Sequence, residues 1–447
     1  MVFTIIQNES FVAIQLISGI YSELLMGAIR TLDDVFLDGK TVLLRIDGNS
    51  PLNPINNSFL DDSRLRSVIP TINKLTKTKL IILSHQSRPG KKDFTSTSGH
   101  AREFQRLLGR TVKFVEDICG EKALSAIEEM KIGDILILNN VRMNEEELEC
   151  RTNNFENQLD THFVQRLSSI ADVFVNDAFA CAHRNSPSIT GFTYALPCIA
   201  GSLMVNELNS LENVLKHPKK PCIAVLGGIK VDDSVNVAKN MLKNNITENI
   251  LVTGGVANLF LDISGIDIGE INRSFLKKEL GIKWESTCED IRNILSHHSN
   301  KITMPIDVAL NIEGKRVDVD ISELPTEYQI FDLGVQSTVN ISSAIKNAGT
   351  IILNGPAGVF ELDGFKFGTM EIINACAESE AFVVVGGGHT ATLINNLGLA
   401  SKIGHVSTGG GACLAFLAGE KLSGVQSLEI SAKRFGLTLK KLQRELQ

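Results

Sequence analysis

Several absences narrow the reading of this sequence before any motif does. Its cysteines, Cys119, Cys150, Cys181, Cys198, Cys222, Cys288, Cys376 and Cys413, include no Cys-x-x-Cys pair, and none stands at zinc-ligand spacing from a histidine. Sequence signatures of a structural zinc site or a dithiol redox motif are therefore missing. Small buried hydrophobes in a reducing compartment are the expectation for these thiols. Basic charge is in deficit, with 44 Lys and Arg against 51 Asp and Glu, a formal net charge of −7. That argues against non-specific nucleic-acid binding, which needs a basic face. No apolar run suits a membrane span either. Phe11 to Ile29 comes nearest, but Gln15, Ser18, Ser22 and Glu23 interrupt it, and a spanning helix wants about 20 predominantly apolar residues. No Lys or Arg precedes Arg30, so the positive n-region of a signal peptide is lacking. Met26 lies just before an ordinary domain start, Thr31-Leu32-Asp33-Asp34. Residues 1–25 are expected to be a dispensable extension produced by an upstream start codon.

Two nucleotide fingerprints are missing too. There is no GxxxxGK[ST] loop and no GxGxxG run, and the second absence opposes a dinucleotide oxidoreductase. No low-complexity tract and no internal repeat of about 20–50 residues is present, so a solenoid is not expected.

What is present alternates. Apolar runs of strand type, Val42–Ile46, Leu80–Ser84, Ile135–Leu138, Val173–Val175, Ile223–Leu226, Ile250–Val252, Ile351–Leu353 and Phe382–Val385, are separated by helix-like segments. Arg64 to Leu75 reads as a helix with cap candidates in Asp61–Ser63, and Leu203 to Leu215 as another. Continuous apolar strands alternating with helices predict doubly wound parallel sheets, which bind ligands at the carboxyl ends of their strands. The basic stretch His217-Pro218-Lys219-Lys220-Pro221 marks a connection between two domains, and Ser431 to Gln447 reads as a terminal amphipathic helix.

Binding chemistry is segregated along this frame. The first half carries single arginines near strand-like runs, Arg45, Arg64, Arg88, Arg142 and Arg184. Guanidinium forks match carboxylate and phosphate, so these suit a small, multiply charged anion. The second half carries Gly227-Gly228-Ile229-Lys230, Gly254-Gly255, Asn354-Gly355-Pro356-Ala357-Gly358, Gly386-Gly387-Gly388 and Gly409-Gly410-Gly411. Glycine turns before helices suit a nucleotide, because exposed N–H groups and the helix dipole attract phosphate. One of each implies two lobes with phosphoryl transfer between them. Singly, each motif has a plainer explanation, such as a surface charge, a packing histidine or tight strand–helix packing.

Together they resemble phosphoglycerate kinase over roughly residues 27–430. The runs that carry the resemblance are Leu44-Arg45-Ile46-Asp47-Gly48-Asn49-Ser50-Pro51-Leu52, Ser84-His85-Gln86-Ser87-Arg88-Pro89-Gly90 and Val175-Asn176-Asp177-Ala178-Phe179-Ala180-Cys181-Ala182-His183-Arg184. They continue in Leu226–Val231, in Leu353-Asn354-Gly355-Pro356-Ala357-Gly358-Val359-Phe360-Glu361 and in Gly404–Ala412. The resemblance implies an α/β protein of two doubly wound parallel-sheet (Rossmann-like) lobes separated by a cleft, with a hinge near residues 185–216. It implies a substrate lobe over 26–200, an inter-domain helix over 201–216, a nucleotide lobe over 217–420, and a segment, 421–447, returning to the first lobe. The reaction implied is reversible phosphoryl transfer between ATP and the carboxylate of 3-phosphoglycerate, giving an acyl phosphate, in glycolysis and gluconeogenesis. Arg88, Arg142 and Arg184 would hold the substrate phosphate, with His85 and His183 adding donors. Asp47 and Asn49 would orient the hydroxyl and carboxylate, with Gly48, Gln86 and Ser87 in the same site. Arg64 and Lys230 would meet the moving phosphoryl group. Gly227, Gly228, Gly387 and Gly388 would turn backbone N–H groups to the nucleotide, Asn354, His389 and Thr390 would lie by its phosphates, and Glu361 would accept from the ribose. Mg²⁺ would travel with ATP or ADP, with no residue assigned to it. The resemblance further implies a cytoplasmic monomer or homodimer with no nucleic-acid or membrane partner.

Five positions depart from the familiar family pattern. Gly48 replaces Phe, Gln86-Ser87 replaces Leu-Gly, Ser234 replaces a second lysine and His389 replaces Asp. The Gln-Ser-Arg-Pro-Gly-Lys-Lys run and the Gly-Gly-Gly-His turn are similar to the archaeal branch. Imidazole is a poor ligand for Mg²⁺, so His389 is not expected to inherit a metal-side role. The rival readings are a nucleotide-binding protein without transfer chemistry, and the oxidoreductase already opposed above.

Overall fold

The computed structural model describes residues 28–151 and 154–436. The extension expected over residues 1–25 and most of the terminal segment 431–447 lie outside the described residues. Two compact units divide the chain, Met1–Asn209 with Lys421–Gln447, and Ser210–Glu420. The division falls inside one helix, Ser202–Lys216.

The first unit is built on six strands, β1 Thr41–Ile46, β2 Lys79–Leu83, β3 Lys113–Phe114, β4 Ile135–Ile137, β5 Val173–Asp177 and β6 Cys198–Ala200. All are parallel, in the order β3-β4-β2-β1-β5-β6. Side chains alternate across a strand, and here both faces are covered. Val42, Leu44 and Ile46 join Ile82, Ile137 and Val175 in one core, closed by Leu65, Ile72 and Phe104 from helices. The chain leaves β1 toward β2 and leaves β5 toward β6. The β1/β5 pair, in register at Ile46 and Asp177, is therefore a topological switch point, where open α/β sheets bind ligands. The helix expected over Arg64 to Leu75 is two helices, Ser63–Ser67 and Ile69–Lys74. Pro70 lies in the first turn of the second helix; it lacks the N–H that a continuous helix would use there.

The second unit carries β7 Cys222–Leu226, β8 Asn249–Val252, β9 Ile302–Thr303, β10 Asp307–Ile312, β11 Lys315–Asp320, β12 Gln329–Leu333, β13 Thr350–Asn354, β14 Phe382–Gly386 and β15 His405–Val406. Six form a parallel sheet in the order β15-β14-β13-β7-β8-β9. Ile223, Val225, Ile351, Leu353, Val383 and Val385 meet helical Ile341, Ile345, Ile372 and Ile373 on one face. β7 leads toward β8 and β13 toward β14, so β7/β13, in register at Leu226 and Asn354, is a second switch point. An antiparallel sheet, β11-β10-β12, stands apart from it. The alternation reading missed it. Its hairpin turns at Glu313 and Gly314, with φ of 52° and 81°, the left-handed pair that a two-residue turn demands.

Candidate active site

At the first switch point the loop after β1 carries Asp47-Gly48-Asn49, and a web of hydrogen bonds shapes it. Asp47 accepts from the Asn49 N–H at 3.0 Å and from the Arg64 guanidinium. Asn49 Oδ1 accepts from the Ser87 N–H at 2.7 Å, which ties this loop to the one after β2. Ser87 holds a φ of 56°, unusual for a residue with a β-carbon. It is retained there from three sides. Asn49 takes its N–H, Asp93 takes its hydroxyl proton at 2.6 Å, and Arg142 donates to its carbonyl.

Four guanidiniums gather here. Burial lowers the Arg184 pKa, and the positive charges of Arg45, Arg88 and Arg64 lower it further. Burial also lowers that of Arg64. His85 is buried and held well below its ordinary value, by burial first and then by Arg45, Arg184 and Arg64. Cations that press on Arg184 and His85 in this way are relieved by an anion. Asp47, His85 and Cys181 place ligand-type atoms within 4.8 Å of one another. With arginines crowding the same imidazole, the trio is electrostatically a place for negative charge, not for a cation.

Three expected contact residues spend their polar groups on the protein itself. Gly48 donates its N–H to Ser84 Oγ at 3.1 Å, and its carbonyl lies 2.9 Å from His100 Nε2. Gln86 is buried, with its amide clamped on the Ser50 backbone at 3.3 and 2.9 Å. Ser87 is committed as described. These three therefore build the site, and Asp47, Asn49, Arg64, Arg88, Arg142, His183 and Arg184 remain around it. Arg88 and His183 are exposed, the others buried or half-buried.

At the second switch point a cavity of about 670 Å³ is lined by Gly227, Gly228, Lys230, Asn354, Glu361, Gly387, Gly388, His389 and Thr390, every residue assigned to the nucleotide. The two glycine turns lean on each other. Gly227 N–H donates to the Asn354 carbonyl at 2.7 Å, and Gly228 N–H to that of Pro356 at 2.8 Å. These two N–H groups are thus engaged within the protein, while both glycines line the cavity. The glycines are needed for close approach, since a β-carbon on Gly227 would stand 2.6 Å from the Pro356 carbonyl oxygen. Gly387, at φ 84°, precedes the helix Gly388–Asn396, whose first N–H groups lack helical partners. Thr390 Oγ1 is buried without a partner. Ser234 is buried too. Its hydroxyl receives Asn354 Nδ2 at 3.1 Å and faces the Gly227 carbonyl at 3.5 Å, so it frames the turn.

The motifs left out the cavity's apolar wall, formed by Phe275, Leu276, Val308 and Ile330. Val308 and Ile330 belong to the antiparallel sheet, so missing the hairpin hid them. Such a wall accepts a flat apolar body, while the glycine end accepts phosphate. Asp332 beneath it receives Gly368 N–H at 2.9 Å and Arg316 at 2.8 Å. It leaves no room for a β-carbon on Gly358, and so fixes the loop that ends in Glu361.

Two doubly wound units, one with clustered guanidiniums at its switch point and one with a glycine-walled cavity at the other, fit a phosphotransferase. A family model described as phosphoglycerate kinase matches residues 32–420. The phosphoglycerate kinase of Methanothermus fervidus is 44% identical over 90% of this chain and 98% of its own length. That of Methanosarcina mazei is 45% identical over 91% and 96%. The crystal structure of phosphoglycerate kinase from Pyrococcus horikoshii OT3 superposes with a TM-score of 0.84 at 38% identity, covering 91% of this chain and all of that one. The chain belongs to the phosphoglycerate kinase family and resembles its archaeal branch. It is a kinase with a carboxyl group as acceptor.

Proposed function

We propose that the first switch point binds 3-phosphoglycerate, that the cavity of the second unit binds ATP or ADP, and that Arg64 and Lys230 stabilise the phosphoryl group in flight. The observation that carries this reading is the guanidinium cluster around a single paired carboxylate, Asp47. Arg88, Arg142 and Arg184, with His183, hold the substrate phosphate, and Asn49 and Asp47 orient its other end. A carboxylate is already a competent nucleophile, so the chemistry asks for positive charge on the equatorial oxygens and for alignment, not for a general base. Lys230 lines the nucleotide cavity at the start of the helix Val231–Lys243 and supplies that charge from the donor side. Glu361 receives the ribose hydroxyls. Thr390 and the N–H groups of the helix Gly388–Asn396 receive phosphate oxygens.

Mg²⁺ accompanies the nucleotide in this proposal. The cavity's ligand-type side chains are an exposed carboxylate, Glu361, a second one, Asp332, already engaged by Arg316 and the Gly368 N–H, an imidazole, His389, the Thr390 hydroxyl and several amides, which do not make a cage for a hard ion. Mg²⁺ keeps its waters and prefers phosphate oxygens, so it needs none. We place the enzyme in the cytoplasm, as a monomer or homodimer, on its family's character. Among the described residues no helix is long and apolar enough to cross a membrane.

Incubation with Mg-ATP, 3-phosphoglycerate and hydroxylamine tests the proposal. Hydroxamate should accumulate, and should be lost in Arg64→Ala and Lys230→Ala. Intact ADP binding with no hydroxamate from the wild type would leave a nucleotide-binding protein without transfer chemistry.

A further inference from the structure

We propose that Arg45, which has no place in either set of ligand-contacting residues above, is a positioning residue that holds His85 as a neutral imidazole with its proton on Nε2. The acceptor site then meets its anion with a fixed hydrogen-bond donor at that position. The functional half of this inference rests on the acceptor reading given above, and the structural half does not.

Arg45 lies on β1, facing away from the core that Leu44 and Ile46 enter, and only 2% of it is exposed. Its Nη2 is 3.3 Å from His85 Nδ1. A guanidinium has five donors and no acceptor, so Nδ1 must supply the lone pair. A neutral ring with its lone pair on Nδ1 carries its proton on Nε2. The one carboxylate near this nitrogen is Asp47, whose Oδ1 is 3.8 Å away, beyond hydrogen-bond reach. Asp47 is also engaged, by the Asn49 N–H and by Arg64. Nothing therefore draws a proton onto Nδ1.

Arg45 is itself held from behind. Its Nε donates to Ser188 Oγ at 2.9 Å, and Nη1 donates to the Ile46 carbonyl. Ser188 Oγ donates in turn to Glu147 at 2.7 Å, and Glu147 also accepts from Ser186 Oγ and the Ser188 N–H, each at 2.8 Å. Glu147 is buried, so a buried cation and a buried anion balance through one serine. Removing either would leave the other uncompensated, which explains so rigid an arrangement behind one imidazole.

The groups facing His85 are Arg45, Arg64, Arg184, His100 and Asp47, with Cys181 beside them. All the cations oppose a charge on the ring, and so does burial. Nε2 forms no hydrogen bond among the described residues, and it is not one of the buried atoms left without a partner. The ring as a whole is 2% exposed, and the Nε2 hydrogen is uncommitted to the protein.

The test reads the side-chain nitrogens of His85 by ¹⁵N NMR on the full chain, assigned through His85→Gln. The expected spectrum is the neutral Nε2–H form from pH 8 down to pH 5, without titration. A proton on Nδ1, or an imidazolium at pH 7, would overturn the proposal. In Arg45→Met the tautomers should average and the ring should begin to titrate. KM for 3-phosphoglycerate should rise about tenfold with kcat nearly unchanged, the range for one hydrogen bond to a charged group. An unchanged His85 spectrum in folded Arg45→Met would overturn the role of Arg45. Should that variant not fold, two others decide. His85→Gln puts an amide near the Nε2 position and His85→Asn near Nδ1, so KM should rise less in the first, and the reverse order would refute the proposal. Adding 3-phosphoglycerate to the wild type should shift the Nε2 resonance. If it does not while hydroxamate still forms, the functional half fails and the acceptor reading stands; if neither is seen, both fail, and the tautomer stands in either case.

Discussion

At Gly48 the missing β-carbon is a steric requirement. A Cβ there would lie 2.5 Å from Ser84 Oγ and 2.7 Å from His100 Cδ2, and His100 is buried, with its pKa pushed down to about 4 by burial. The phenylalanine usual in the family has no space in this chain. Gly48→Ala should therefore cost about 1–3 kcal/mol by overpacking, read as a lower thermal midpoint, and should raise KM for 3-phosphoglycerate because Asn49 moves with the loop. An unshifted midpoint would show that Ser84 and His100 yield freely. Lys230→Ala should lower turnover by about two orders of magnitude, as expected for one oriented charge. Turnover within a few-fold of wild type would remove Lys230 from catalysis. Ser234→Ala should cost only about 1 kcal/mol, the worth of one hydrogen bond, and loosen Asn354. At this scale the residue types were legible in the sequence but their allocation was not. Motifs bring Gly48, Gln86 and Ser87 to the site, and only the hydrogen-bond partners show that they shape it. Arg45 reads as one more anion-binding arginine until its burial is seen.

The strands were legible as elements because each is a continuous apolar run buried on both faces. Pro70, the Glu-Gly hairpin and the parallel edge strands of two or three residues were not, because apolar periodicity carries no mark of a broken helix or so short a strand. Element boundaries also hide one titration. Asp177 ends β5 and accepts the Met204 N–H at 2.9 Å in the first turn of the helix Ser202–Lys216. Its other oxygen is buried without a partner. Burial raises its pKa to about 6. Because the folded value lies above the unfolded one, the folded state binds this proton more tightly. The stability owed to it is fully present below about pH 4 and is lost as pH rises through about 6. Asp177→Asn removes the titration. Relative to wild type, the variant should gain about 3 kcal/mol between pH 4 and pH 7.5, from roughly two units at 1.36 kcal/mol each. Urea unfolding at both pH values measures this difference, and equal shifts at both would mean that Asp177 stays ionised without penalty.

The first unit of the whole molecule is discontinuous in sequence. The helix Ser423–Arg434 buries Val425 and Leu428 in it. Its Ser431 hydroxyl accepts from the Cys198 N–H at 2.8 Å, and the Gly424 N–H donates to the Ala182 carbonyl at 2.7 Å. Ala182 directly precedes His183 and Arg184. A chain ending at Glu420 should therefore lose the thermal shift given by 3-phosphoglycerate and keep the one given by Mg-ADP, since Ser210–Glu420 has its own sheet and core. Loss of the ADP shift instead would show that the second unit depends on the first.

That return of the chain also sets an order of events during synthesis. Domains fold as units as the chain emerges, ordinarily the amino-terminal one first. Here the unit begun first lacks the helix Ser423–Arg434 until that segment has left the ribosome, whereas the later unit is complete at Glu420. In the interval β6, the edge strand of the first sheet, is without the helix that pairs with its Cys198. An uncovered edge is where strands of other chains attach. The nascent first unit is thus the part of the molecule with most need of a chaperone, and the second unit the part with least.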